Sequence, residues 1–198
     1  SPLEAKRPHQ SPNAKAVICL FQHGGPSQMD LFDPKPVLVK QHGKPYEGNL
    51  EVHFHMQKGN IQGSPYKFAH SGECSMELSE ILPCTKKIAD EITLVRSMTT
   101  DCVDHIGALQ MIHSGKTFHG RPTWGAWTLY GLGTESQDLP AYVGLTDPGG
   151  PPLDATRNWS SGFLPAIYQG TAIQATPSPV LNLSLPEDVP EAARANQL

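Results

Sequence analysis

The chain has 198 residues, of which 38% are hydrophobic and 17% charged, and its formal net charge is −4. These values are ordinary for a globular protein with a sizeable core. No Lys/Arg cluster could neutralise a row of phosphates, so nucleic acid is not an expected partner. No apolar run approaches the ~20 residues of a membrane span, and no signal peptide is visible.

The two ends of the chain differ from its middle. Residues 1–15 are polar and contain three prolines, which predicts a flexible lead-in. The end, "EDVPEAARANQL", is typical of a helix that begins after Pro190 and is cut short. We therefore expect residues 16–198 to form the N-terminal part of a domain that is truncated at its C-terminus.

The first half opens with a strand-like run and continues into loops. Residues 17–22 are an unbroken apolar stretch, which predicts a strand covered on both faces, with Cys19 buried as a small hydrophobe. Residues 34–43 predict a short helix or turn closed by Gly43. Residues 44–72 are rich in Gly, His and Pro and predict a long excursion with one hairpin.

The second half alternates helix and strand patterns. Helices are predicted over residues 75–92, 104–115 and 122–133, and the first of them is expected to be divided at Pro83. Strands are predicted over residues 93–100, 139–147 and 179–186. This alternation favours an α/β fold with a mainly parallel sheet flanked by helices. Trp124 and Trp127 are expected in its core. Cys74 and Cys84 could form a disulfide in an oxidising compartment, which their spacing alone does not decide.

Polar groups follow the first predicted strand. The segment "HGGPSQMD" offers the imidazole of His23, the hydroxyl of Ser27 and the carboxylate of Asp30 on one short loop. In open α/β sheets, ligands bind beyond the carboxyl ends of the strands. Imidazoles and carboxylates are also ligands for divalent metals, so this loop is a candidate metal site.

A second polar group follows the strand predicted over residues 93–100. It brings Asp101, Asp104 and His105 to the start of a helix. Free backbone N–H groups and the helix dipole favour an anion at such a position. Metal and helix terminus together would suit phosphoryl or sulfuryl transfer.

Each of these residues also has a purely structural interpretation. His23 could be a hydrogen-bonded strand-end residue, and Ser27 a helix N-cap. Asp30 could cap a helix or pair with a nearby lysine, and Asp104 could be a plain N-cap. His105 is harder to explain structurally, because His is not a favoured first residue of a helix.

Four blocks of sequence resemble the DUF1501 family: "VICLFQHGGPSQMDLFDPKP", "LVRSMTTDCVDHIGALQMIHSGK", "GRPTWGAWTLYGLGTESQDLPAYVGL" and "NWSSGFLPAIYQG". These bacterial proteins, abundant in planctomycetes and often labelled sulfatases, are placed in the alkaline-phosphatase-like superfamily. The resemblance covers roughly residues 10–198. It implies an alkaline-phosphatase-like sheet, a second half beyond this chain, a twin-arginine signal upstream and a periplasmic or extracellular location.

The superfamily resemblance also implies roles for particular residues. It makes Asp30 the candidate acidic metal ligand, with His23 as a possible second ligand. The sulfatase helix "CxPSRAALLTG" is similar at its end to "ALQMIHSG" here, which places His105 where the sulfatase Cys stands. No Cys, Ser or Thr occupies position 105, and Cys102 lies three residues too early, so the formylglycine route does not carry over.

These inferences predict a metal-dependent hydrolase of sulfate or phosphate esters. Asp30 and His23 would hold a divalent ion (Zn, Ca or Mg), while His105, Asp104 and Ser27 would contact the ester anion, with His105 in the catalytic role. The expected substrate is a small anionic ester or a sulfated polysaccharide. This hypothesis requires the two polar segments to share one pocket.

Two alternatives remain open. The first is a non-catalytic DUF1501 relative with a binding or cell-surface assembly role, which the missing nucleophile at position 105 favours. The second is a serine esterase that uses Ser27, which would need a His–acid pair that the sequence does not display.

Overall fold

The computed structural model describes residues 1–22, 25–48, 59–176 and 179–180. The chain divides into two compact units, one made of Ser1–Cys19 with Thr100–Leu198 and the other of Leu20–Thr99.

The Leu20–Thr99 unit is built from short elements around a β-hairpin. They are α1 (Gln28–Leu31), α2 (Pro36–Lys40), β1 (Phe68–Ser71), β2 (Met76–Ser79), α3 (Pro83–Lys86) and a 3-10 turn (Ala89–Glu91). β1 and β2 pair antiparallel, from Phe68 opposite Ser79 to Ser71 opposite Met76. Their turn uses positive φ at Gly72 and Ser75. Leu78 and Ala89 are buried in this unit.

The helix predicted over residues 75–92 is wrong in its first part. Met76–Ser79 form β2, because they find hydrogen-bonding partners in β1, which lies outside the sequence window that suggested a helix. The division at Pro83 is confirmed, since Pro83 opens α3 at a position where its missing N–H leaves no bond unmade. The predicted short helix is α2, and Gly43 follows it with φ +80°.

The strand predicted over residues 17–22 is also wrong. These residues adopt no strand, and the side chains of Val17, Ile18 and Leu20 are exposed. Cys19 is exposed rather than buried. The strand predicted over residues 93–100 is likewise absent from this described stretch. An apolar run forms a strand only where a neighbouring strand offers backbone partners, and none of the described strands pairs with either run.

The unit of residues 1–19 and 100–198 carries the two longest helices of the described residues. Its elements are α4 (His105–Ser114), α5 (Trp124–Leu132), β3 (Val143–Thr146), β4 (Thr171–Gln174) and 3-10 segments at Ala155–Trp159 and Ala166–Tyr168. β3 and β4 pair in parallel. The helices predicted at 104–115 and after Pro122 and the strand within 139–147 are confirmed. Most of the strand predicted over 179–186 lies outside the described residues.

The core of this unit forms around α5. Ala126 and Leu129 of that helix are buried with Tyr168. Leu3 packs against the same cluster, and its carbonyl accepts a hydrogen bond from Thr134 N at 2.8 Å. The start of the lead-in is therefore docked on the core.

The tryptophans of α5 lie at the edge of this core. Trp124 is half-buried and Trp127 is 42% exposed. The prediction of a core position is therefore wrong for Trp127.

The α/β class is confirmed in outline. The described strands form one antiparallel and one parallel pair, each of two strands, rather than the mainly parallel sheet expected. Within the described ranges, every helix is too short or too polar to cross a membrane.

Candidate functional site

Two of the predicted metal-loop residues surround the first helical turn of the Leu20–Thr99 unit. Ser27 is the N-cap residue of α1 by backbone geometry, but its side chain makes no capping bond. Asp30 lies within α1, and its backbone N donates to Ser27 O at 3.0 Å. The third residue, His23, lies outside the described residues. The loop thus leaves the Ser27 hydroxyl uncommitted to helix capping.

Ser27 and Asp30 line the same open cavity of about 180 Å³. Its wall mixes polar and apolar surface and consists of Ser27, Met29, Asp30, Lys35, Leu38, Gln62, Gly63 and Ser64. Gly63 permits the close approach of this wall to α2, because a Cβ there would lie 2.7 Å from Val39 Cα. His42 Nδ1 accepts from Gly63 N at 3.1 Å and fixes the same contact. The cavity is therefore a defined pocket between two short helices and a loop.

The charge in this cavity is mixed. Asp30 contributes a carboxylate, and the Lys35 ammonium lies 2.5 Å from Asp33 Oδ2. Lys35 is thereby neutralised locally. The wall offers an acidic group and several neutral oxygen donors, which is an environment for a hard cation or a hydroxylated ligand.

The second predicted site is the N-terminus of α4. Asp104 Oδ1 accepts from Ile106 N at 2.9 Å and from Gly107 N at 3.1 Å. The prediction that Asp104 caps this helix is confirmed. The capping carboxylate sits where an external anion would bind, so an anion would have to compete with it for these two amides.

His105 is the first residue of α4 and is exposed. It follows the capping residue directly, so the helix start brings Asp104 and His105 together. Ser27 and Asp30 are brought together by the cavity of the other unit.

Sequence reasoning missed a thiol that belongs to this cap. Cys102 Sγ lies 2.9 Å from Asp104 Oδ2. This hydrogen bond to the Asp104 carboxylate raises the pKa of the Cys102 thiol, which keeps it protonated. Gly107 makes room for the sulfur, because a Cβ there would lie 2.3 Å from Cys102 Sγ. The sequence signal was a glycine in the first turn of a helix, next to a Cys-x-Asp step.

The residues present fit some divalent ions better than others. Among the described residues, no group of three or more His, Cys, Asp or Glu side chains is arranged for a metal. The cavity offers Asp30 with hydroxyl and amide oxygens from Ser27, Ser64 and Gln62. Such an all-oxygen set suits Mg²⁺ or Ca²⁺, which accept a single carboxylate completed by water and substrate oxygens. It does not suit Zn²⁺, which takes mostly nitrogen and sulfur ligands.

A second arrangement that the sequence did not reveal surrounds Asp154. Its side chain is only 3% exposed. Its carboxylate accepts a hydrogen bond from the side-chain amide of Gln110 on α4 and contacts His119 and Arg157. Asp154 and Arg157 are three residues apart, but Gln110 and His119 come from two other parts of the sequence, so no local pattern could predict the whole cluster.

The chain is thus an α/β protein with a polar, carboxylate-bearing cavity in one unit and an acid-capped helix in the other. The sequence profile of DUF1501, a family described as "protein of unknown function", matches residues 14–198. This chain therefore belongs to the DUF1501 family. None of the curated proteins and none of the solved structures matches it significantly.

Proposed function

We propose that this protein is a metal-dependent hydrolase of sulfate or phosphate esters, built on an alkaline-phosphatase-like frame. The observation that carries the proposal is the cavity that Ser27 and Asp30 share. A carboxylate beside hydroxyl groups in a pocket can hold a divalent ion and position an oxygen-rich ligand. The substrate class, a small anionic ester or a sulfated polysaccharide, rests on the family resemblance, as does a periplasmic or extracellular location.

In this proposal each residue has a separate task. Asp30 binds the divalent ion, with His23 as a further ligand, and the ion supplies Lewis-acid polarisation of the ester oxygen. Of the three ions expected, Mg²⁺ and Ca²⁺ fit the described oxygen ligands, and Zn²⁺ would need His23. The Ser27 hydroxyl donates a hydrogen bond to an ester oxygen.

His105 has the task of an anion contact. Since Asp104 already satisfies two backbone amides of α4, the exposed imidazole of His105 is the donor that an ester anion would use there. His105 binds this anion best when it is protonated.

The second candidate function is non-catalytic ligand binding, including a role in cell-surface assembly. The arrangement around α4 favours it, because position 105 carries an imidazole and the neighbouring thiol of Cys102 is held protonated by Asp104. A thiol is a nucleophile only as the thiolate. A binding protein needs the cavity but does not need a nucleophile.

The decisive experiment combines metal binding with turnover. The purified chain is titrated with Mg²⁺, Ca²⁺ and Zn²⁺ by calorimetry, and assayed with p-nitrophenyl sulfate and p-nitrophenyl phosphate. The hydrolase proposal expects metal-stimulated turnover that Asp30→Asn reduces at least about 100-fold, because one metal ligand is lost. Asp138→Asn removes an exposed carboxylate elsewhere and should leave turnover unchanged.

The outcomes separate the two candidates. Metal binding without turnover of either ester would overturn the hydrolase and support the binding protein. Turnover that is insensitive to both Asp30→Asn and chelation would remove Asp30 from its assigned role. His105→Ala should weaken binding of the ester anion while leaving metal affinity intact, because the proposal gives His105 the anion and not the ion.

A further inference from the structure

The charge of this protein is unevenly distributed along its sequence. The net charge is −4, yet residues 105–134 contain no Asp or Glu. Lys116 and Arg121 are the fixed charges of that stretch, and His105, His113 and His119 lie there too. The fixed charges of this segment are therefore all positive although the whole chain is acidic, and a local excess of positive charge attracts anions.

Arg157 contacts this segment directly through His119. Its Nη1 lies 3.1 Å from His119 Nε2 and donates to Asp154 Oδ1 at 3.2 Å. His119 Nδ1 lies 3.5 Å from Asp154 Oδ2. The buried carboxylate thus contacts both side chains, which remain 44% exposed for His119 and 60% exposed for Arg157.

Side-chain hydrogen bonds support the backbone under these two side chains. Asn158 is buried, and its Nδ2 donates to Leu153 O at 2.7 Å and to Ala155 O at 3.0 Å. Asp154 and Ala155 both have positive φ, at 67° and 42°. Non-glycine residues adopt this conformation uncommonly, and such strain is concentrated at functional sites. The loop places Arg157 beside His119 and Asp154.

We propose that His119 and Arg157 form a binding site for a tetrahedral oxyanion, a sulfate or phosphate group, which Asp154 positions from beneath. Nε and Nη2 of Arg157 have no hydrogen-bond partner among the described residues, and the side chain is 60% exposed, so these two donors are available to an anion as a fork. That fork matches the oxygen spacing of sulfate and phosphate groups. This site does not depend on the cavity of Ser27 and Asp30.

Protonation of His119 strengthens the site. The neutral imidazole accepts from Arg157 through Nε2, but the protonated ring carries an N–H there. Two donors would then face each other 3.1 Å apart, so this contact would open and release the His119 N–H for the anion that the Arg157 fork binds. The charged groups in contact with the imidazole are the Arg157 guanidinium and the Asp154 carboxylate. Anion binding and proton uptake by His119 are therefore coupled and reinforce each other.

The test is a sulfate titration of the intact chain at two pH values. Sulfate is the first probe because its charge is constant over this range, and sodium chloride keeps the ionic strength equal. We expect binding at least about fivefold tighter near pH 6 than near pH 8. In NMR spectra of the wild type, sulfate should shift the His119 ring protons and raise the pH at which they titrate. Equal affinity at both pH values, or unmoved His119 resonances, would overturn the proposal.

Variants locate the site. Arg157→Lys keeps the charge and removes the fork, so binding should weaken several-fold, and Arg157→Gln should abolish it. His119→Gln should leave weak binding without pH dependence. Arg7→Gln removes one exposed charge elsewhere and serves as the matched control. If Arg7→Gln weakens sulfate binding as much as Arg157→Gln does, the loss reflects only the change in net charge, and the proposed site is wrong.

Further arms separate the sources of the anion and the two proposed sites. Glucose 6-sulfate that binds more tightly than inorganic sulfate, while glucose does not bind, would assign the site to a sulfated ligand. Binding of the inorganic ion alone would assign it to a free anion. Asp30→Asn should leave sulfate binding intact, because Asp30 lines the other cavity and contributes nothing to this site. The oxyanion site can therefore exist even if the hydrolase proposal fails. A loss of sulfate binding in Asp30→Asn would show that the two sites are not independent.

Discussion

The Cys102 thiol and the Asp104 carboxylate lie 2.9 Å apart, immediately before the first turn of α4. The Asp104 carboxylate therefore accepts hydrogen bonds on both oxygens. Oδ1 accepts from the backbone amides of Ile106 and Gly107, and Oδ2 accepts from the thiol. Because Asp104 acts on both groups, the stability of the helix start and the reactivity of Cys102 are coupled through a single side chain.

Removing this carboxylate should destabilise the protein. Asp104→Ala leaves the amides of Ile106 and Gly107 without their acceptor, and we expect a loss of about 1 kcal/mol in the free energy of unfolding. Asp104→Asn retains a capping oxygen and should lose much less. Urea denaturation followed by circular dichroism measures both. Asp101→Ala, at an exposed neighbouring position, is the control, and an equal loss there would contradict the capping role.

The thiol of Cys102 should react slowly while Asp104 is charged. Its pKa is raised by the hydrogen bond to Asp104, so the thiolate fraction near neutral pH is small. Asp104→Asn removes the negative charge, lowers the pKa and should accelerate alkylation by iodoacetamide. The measurement uses a background in which Cys19, Cys74 and Cys84 are replaced by Ser. A rate that Asp104→Asn leaves unchanged would show that the contact does not control the thiol.

The start and end of α4 could be predicted because their causes are local. An Asp before the helix and a Gly after it act within a few residues, and both occur where the sequence indicates. The same holds for Pro83, which can only open or break a helix. The two roles considered for Asp104, helix cap and anion contact, involve the same backbone amides, and the structure shows the capping bonds.

The errors arose where the cause is distant in sequence. Residues 17–22 have the composition of a buried strand, but pairing depends on a partner strand that composition does not reveal. Residues 76–79 carry a helix-like spacing, but they become β2 through pairing with Phe68–Ser71. Of the candidate site, the Ser27 and Asp30 pair follows from their closeness in sequence, while the Asp154 cluster joins three separated segments.

Glycine 107 should respond to alanine substitution in the opposite way from most helical glycines. Gly→Ala within a helix usually stabilises by up to about 1 kcal/mol. At Gly107 the new Cβ would lie 2.3 Å from Cys102 Sγ, so we expect destabilisation. Gly131→Ala in α5 is the matched control, because nothing lies within 4 Å of that Cβ, and it should stabilise.

The pairing with Cys102 can be tested directly. Cys102→Ala removes the sulfur, so Gly107→Ala should become less harmful in that background. A double-mutant cycle from urea denaturation measures this coupling. If Gly107→Ala and Gly131→Ala both stabilise the wild type, the close contact does not constrain the helix.

The turn of the β1–β2 hairpin should make the Leu20–Thr99 unit sensitive to acid. Backbone N–H groups of Cys74 and Glu73 donate to Asp90 at 2.8 and 3.0 Å and hold the pKa of its carboxyl below the ordinary 3.8. A carboxyl with a lowered pKa contributes stability above its unfolded-state pKa, and this contribution is lost as the pH falls through the folded-state value. Asp90→Asn should therefore flatten the decline in stability below about pH 4. Urea denaturation at a series of pH values measures this decline, with Glu91→Gln as the control for an exposed neighbouring carboxyl. If wild type and Asp90→Asn lose stability in parallel on acidification, the acid sensitivity must lie elsewhere.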